Sequence, residues 1–125
     1  ARDGSSLFPA ELDETLASAV SCLFADDPRV QVITGDWGAL RDSGPFSLLF
    51  LDVAEAKRSG PDEVADLLEP GGVVVLDDLT PCSTWPPLFE GRVDTVRQAW
   101  LTDDRFTTVE VMVTDDSSVL IAARR

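Results

Sequence analysis

Two apolar runs, each ending in a carboxylate, constrain the chain most: Phe46 to Asp52 reads FSLLFLD, and Gly71 to Asp78 reads GGVVVLDD. Neither run alternates apolar with polar residues, so both are expected as strands of a parallel sheet covered on both faces. Between them Pro61 suits a first helical position, and Val64, Leu67 and Leu68 fall on one helical face. Pro70, Gly71 and Gly72 should end that helix before the second strand. The expectation is a βαβ unit. Ligands of such open sheets bind beyond the carboxyl ends of the strands, where Asp52, Asp77 and Asp78 would stand.

The flanks fit the same architecture. Residues 7–11 resemble the end of a strand, with Pro9 suited to an edge. From Asp13, a reasonable N-cap, Leu16, Val20, Leu23 and Phe24 recur at helical spacing until Asp26, Asp27 and Pro28 stop the pattern. Val30 to Thr34 reads as a short strand, closed by a turn through Gly35 that presents Asp36 and Trp37. After the central unit comes a proline-rich loop, Thr80 to Pro87. A helix is expected next, with Phe89, Val93, Val96 and Trp100 along one stripe. Phe106 to Thr114 and Val119 to Ala123, joined by Asp115 to Ser118, should form an antiparallel hairpin. The whole reads as an α/β, Rossmann-like chain: a mostly parallel sheet, helices on its faces and an antiparallel pair at the end, in a single partial domain spanning residues 1–125.

Composition narrows the function classes. A formal charge of −13, with 23 acids against 10 basic residues, leaves no Lys/Arg cluster for a nucleic-acid backbone or an anionic membrane. No apolar run is long enough to span a bilayer, and the start lacks the basic-then-apolar form of a signal peptide, so a cytoplasmic location is expected. Histidine is absent, and Cys22 and Cys82 are too far apart for metal-ligand spacing. They read as reduced structural thiols, and Trp85 and Trp100 as packing residues.

With these elements in order, the chain resembles the class I S-adenosylmethionine-dependent methyltransferases, in particular the small-molecule O-methyltransferases of the catechol and caffeoyl-CoA type. The similarity covers nearly the whole sequence. It implies that Glu11 takes the ribose hydroxyls of S-adenosylmethionine, since a carboxylate can accept from two neighbouring OH groups. It implies that Asp36 accepts from the adenine amine while Trp37 lies against the ring, and that Asp52 also belongs to the cofactor site. Asp52, Asp77 and Asp78 resemble the acids that hold a divalent ion in this family; oxygen-only ligands would suit Mg2+. Read from the residues alone, Asp77 and Asp78 are also ordinary turn formers, Asp36 an Asx turn and Glu11 a solvated acid before a helix.

Three departures accompany the resemblance. The family's glycine-rich loop and the strand before it have no counterpart ahead of Glu11. The family's strand lies between the strand ending at Glu11 and the one ending at Asp52, so the chain should begin about one βα unit late. It is then expected either to leave sheet edges unpaired or to close them on each other, with homodimer formation as one outcome. The family's catalytic lysine position, three after the first metal aspartate, holds Glu55, and Lys57 is the nearest substitute base. Asp77 and Asp78 stand where the family commonly has Asp followed by Asn. The functional expectation is methyl transfer to a hydroxyl of a small molecule, with possible metal assistance. A catalytically silent Rossmann-like binding module is the alternative. A nicotinamide-dependent dehydrogenase half shares the fold but gives Asp77 and Asp78 no task.

Overall fold

The computed structural model describes residues 4–125. The chain divides into two compact units, one ending at Gly44 and one running Pro45–Arg125. Among the described residues no helix is long and apolar enough to cross a membrane.

The first unit is a small parallel βαβ element. Strand β1 (Ala10–Glu11) pairs with β2 (Ile33–Thr34), Ala10 opposite Ile33 and Glu11 opposite Thr34. A parallel bridge between Leu7 and Val30 extends the pairing, so the expected longer strands survive only in part. Helix α1 (Glu14–Leu23) connects them, and Asp13 caps it by accepting from the Leu16 N–H at 2.9 Å. The expected apolar stripe does not become a core: Leu16 and Leu23 are 55% and 76% exposed, and Ala17 is the helix residue that is buried. A two-stranded sheet is too narrow to cover a ten-residue helix face. A 3-10 helix, Trp37–Ser43, follows β2.

The second unit is built on a four-stranded mixed sheet. Its members are β3 (Phe46–Leu51), β4 (Leu68–Leu79), β7 (Phe106–Thr114) and β8 (Ser117–Arg124), in the order β3-β4-β8-β7. β3 and β4 are parallel; β4 with β8 and β8 with β7 are antiparallel, so the C-terminal hairpin forms as expected. Helices α2 (Ala54–Lys57), α3 (Pro61–Ala65) and α4 (Thr95–Thr102), with a small hairpin β5 (Leu88–Phe89) and β6 (Arg92–Val93), complete the unit.

Two local expectations change. The crossover helix is shorter than its pattern suggests, and Pro70, Gly71 and Gly72 lie inside β4 instead of ahead of it. They form a bulge: a step of two residues on β3, from Phe46 to Leu48, is matched by a step of five on β4, from Leu68 to Val73. Gly72 is required there, because a Cβ would sit 2.8 Å from the carbonyl oxygens of both Glu69 and Phe46. Phe89 and Val93 belong to the β5-β6 hairpin and not to a helix. Glu90 and Gly91 both take positive φ at its tip, and Asp94 then caps α4 by accepting from the Arg97 N–H.

The sheet buries one face. Leu51, Leu76 and Leu120 form one buried row across β3, β4 and β8, and Leu49, Val74 and Ala122 form the next. Val64, Trp100 and Phe106 complete this core. The opposite face carries Phe50, Val75, Ile121 and Val109 in one row, and there Leu48 and Phe50 are each 60% exposed. β3 was expected to be covered on both sides; it is apolar on both sides, but Leu48 and Phe50 on the second side are exposed. β3 is also an edge strand.

Candidate functional site

In the first unit, parallel pairing brings Glu11, Asp36 and Trp37 to the carboxyl ends of neighbouring strands. Glu11 is the last residue of β1, and its carbonyl accepts from the Gly35 N–H at 2.9 Å, which fixes the start of the turn carrying Asp36. One carboxylate oxygen of Glu11 accepts from the Asp13 N–H at 3.0 Å, and among the described residues the other has no hydrogen bond. Asp36 precedes the 3-10 helix, is exposed, and makes no side-chain capping bond, so its carboxylate is not consumed by an Asx turn. The absence of a side chain at Gly38 preserves that carboxylate's place, since a Cβ there would lie 2.9 Å from Asp36 Oδ1. Trp37, half-buried, opens the 3-10 helix. These residues suit a ribose and a purine ring.

In the second unit Asp52 directly follows β3, and Asp77 and Asp78 lie near the end of β4, one step beyond the paired Leu51 and Leu76. The strand-end placement is as expected. The metal triad is not: among the described residues no group of three or more His, Cys, Asp or Glu side chains has the geometry to hold a metal ion. Asp77 turns its Oδ1 back to accept from the Asp78 N–H at 2.8 Å, and Asp78 adopts a left-handed φ of 57°. That is the local chemistry of a turn, so these acids do not fit an ion.

Lys57, the last residue of α2, donates from Nζ to the Asp78 carbonyl at 3.2 Å. Both residues line a cavity of about 290 Å3 at the carboxyl end of β4, walled by Leu76, Leu79, Phe89, Val96, Trp100 and Leu120. Ala54, Arg58, Thr80, Asp94 and Arg97 complete its lining. Sequence reasoning assigned no function to Arg58 or Arg97, which join this cavity only through the packing of the chain.

Arg97 is 3% exposed at its side chain and is held by three partners. It donates to Asp94 at 3.1 Å, to Glu110 at 3.3 Å and to the Thr80 carbonyl at 2.6 Å. This joins α4, β7 and the proline-rich loop. On that loop Cys82 accepts from the Leu88 N–H at 3.2 Å and lies 3.2 Å from the Thr84 hydroxyl. The Thr84 hydrogen bond, then those from the backbone and the charge of Arg97, hold its thiol below the ordinary value. Cys22 is exposed and Cys82 half-buried, and both are free thiols. Trp100 is a core residue as expected, whereas Trp85 is 62% exposed because the loop carries it away from the sheet.

No protein-family description and no curated protein matches this sequence. Solved structures do. An O-methyltransferase from Bacillus cereus in complex with S-adenosylhomocysteine aligns with a TM-score of 0.69 at 18% identity, over 98% of this chain and 64% of its own. An S-adenosylhomocysteine-bound methyltransferase from Podospora anserina gives 0.68 at 20% identity, over 99% and 63%. A fibrillarin from Aeropyrum pernix with bound S-adenosylmethionine gives 0.68 at 18%, over 94% and 55%. The chain thus spans less than two-thirds of the length of these structures. The chain has the fold of the class I S-adenosylmethionine-dependent methyltransferases.

Proposed function

We propose that the chain is the greater part of an S-adenosylmethionine-dependent methyltransferase whose acceptor is a hydroxyl on a small molecule. The observation that carries this reading is Lys57 held at the wall of a mainly apolar cavity beside the carboxyl end of β4. Ligands of parallel sheets bind at that end, and a largely apolar pocket with few polar groups suits a small organic molecule. In the first unit the free oxygen of Glu11 accepts from the ribose, Asp36 accepts from the adenine amine and Trp37 stacks on the ring. A stacked aromatic is worth about 1–3 kcal/mol by analogy with base stacking.

When bound, S-adenosylmethionine supplies a methyl group on a sulfonium, taken by in-line displacement. The protein's part is to align the acceptor and remove its proton. The cavity walls orient the acceptor, and Lys57 Nζ, fixed by the Asp78 carbonyl, receives the hydroxyl proton. Asp78 acts here through its backbone. No step uses a metal, because Asp52, Asp77 and Asp78 do not converge. The open face and free edge of β3 favour self-association of the 125-residue chain.

The test is calorimetric titration of S-adenosylhomocysteine into the folded chain. Micromolar binding, lost in Glu11→Ala and Asp36→Ala, is the expected result. A folded chain that binds none, in the 125-residue form and in any longer form carrying it, removes the reading.

A further inference from the structure

The charged groups lining the cavity of the second unit are not balanced. Asp94 and Arg97 are occupied with each other, and Arg97 also holds Glu110 and the Thr80 carbonyl. What remains is Lys57, whose Nζ donates to a backbone carbonyl, together with Asp78 and Arg58. Arg58 is exposed at the cavity's rim and makes no ion pair among the described residues, in a chain whose acids outnumber its basic residues 23 to 10. Apart from Thr80, the rest of the lining is apolar. A neutral ligand would leave the guanidinium without use; a ligand with a carboxylate at one end gives it two parallel hydrogen bonds in the geometry its planar fork prefers.

We infer that this cavity takes a small, mainly apolar carboxylate of about one-ring size, anchored at Arg58, with the hydroxyl to be methylated directed to Lys57. The inference rests on the proposed function for what happens to the hydroxyl, but not for the anchoring. About 290 Å3 lies at the small end of the range for ligand pockets, which suits an acceptor of one-ring size. The net charge of −13 makes the field around the protein unfavourable to anions, so recognition has to come from this local guanidinium.

The experiment compares meta-hydroxybenzoate with meta-hydroxybenzyl alcohol, which keeps the ring and hydroxyl and removes the charge. Each is titrated into the chain by calorimetry, without cofactor. The carboxylate should bind about tenfold more tightly, the scale of one charge-assisted hydrogen bond. Arg58→Gln should reduce that preference to about twofold or less by removing the charged fork, leaving the alcohol unaffected, and Arg58→Lys should retain part of it. Circular dichroism confirms folding of the variants, and the wild-type ratio stands without them. Equal binding of both compounds, binding of neither, or a preference that survives Arg58→Gln overturns the inference. A carboxylate preference without S-adenosylhomocysteine binding would keep the anchoring and remove the methyltransferase reading; the converse would do the opposite.

Discussion

The indole N–H of Trp100 donates to the carbonyl of Ser59 at 3.1 Å, from a helix to the turn between two others. The same ring meets Phe106 edge-on, with centroids 5.1 Å apart. Both Trp100 and Ser59 are buried, so that carbonyl has no water to turn to. Trp100→Phe keeps the ring and removes the donor. It should cost about 1–3 kcal/mol in urea unfolding, the penalty for a buried acceptor left unpaired. Trp100→Ala should cost about 3–5 kcal/mol and enlarge the cavity. Equal stability of the Phe variant and the parent would show that the bond contributes nothing.

Arg97 is the second tie. Replacing it with Met fills its volume but leaves Asp94 and Glu110 without their shared cation and the Thr80 carbonyl without its donor. Breaking a buried pair on one side costs about 3–5 kcal/mol. The double variant Arg97→Met with Glu110→Gln should recover part of the loss, because it removes an uncompensated charge. A double variant no more stable than the single one would place the cost in packing.

The legible parts of the fold were those written in local chemistry. Asp13 as an N-cap and the β7-β8 hairpin follow from short-range rules, and the strand-end positions of Asp52 and Asp77 follow from where the apolar runs stop. What the sequence did not disclose depends on distant backbone. Pro70 to Gly72 look like a helix stop, but their bulge exists because the Phe46 carbonyl lies against Gly72. Asp77 and Asp78 look alike as metal ligands, yet the φ of Asp78 and the hydrogen bond within the pair set them as a turn. Arg58 and Arg97 carry no motif at all; the packing of α2 and α4 gives them a shared cavity.

Cys82 offers a pH-dependent prediction. Its folded thiol is held below the ordinary value of 9.0, chiefly by the Thr84 hydroxyl. A depressed value favours the thiolate in the folded state, so the associated stabilisation is present above the unfolded pKa and fades as pH falls through the folded one. The rate of iodoacetamide alkylation of Cys82 follows the thiolate. Its pH midpoint should lie below 9.0 in the folded chain and return towards 9.0 in Thr84→Val or in denaturant. A midpoint unchanged by Thr84→Val would remove the Thr84 hydroxyl as the cause.

Leu48 and Leu49 are neighbours in β3 with opposite surroundings: Leu49 is 5% exposed in the core, Leu48 60% exposed on the open face. Their side chains point to opposite sides of the pleat, so the pair reads the two faces separately. Leu49→Ala should destabilise the chain by about 2–5 kcal/mol, as for any buried leucine. Leu48→Thr, alone or with Phe50→Thr, should leave the unfolding free energy of the monomer within about 0.5 kcal/mol, because an exposed side chain loses little on truncation. The same changes should act on association. The open face is an apolar surface that runs to the edge strand β3, the combination that draws chains together. Light scattering should therefore find the 125-residue chain associated at micromolar concentration, and the double Thr variant shifted towards monomer. If Leu48→Thr destabilises the monomer as much as Leu49→Ala, the second face is covered in solution, and the assignment of β3 as covered on one side is wrong.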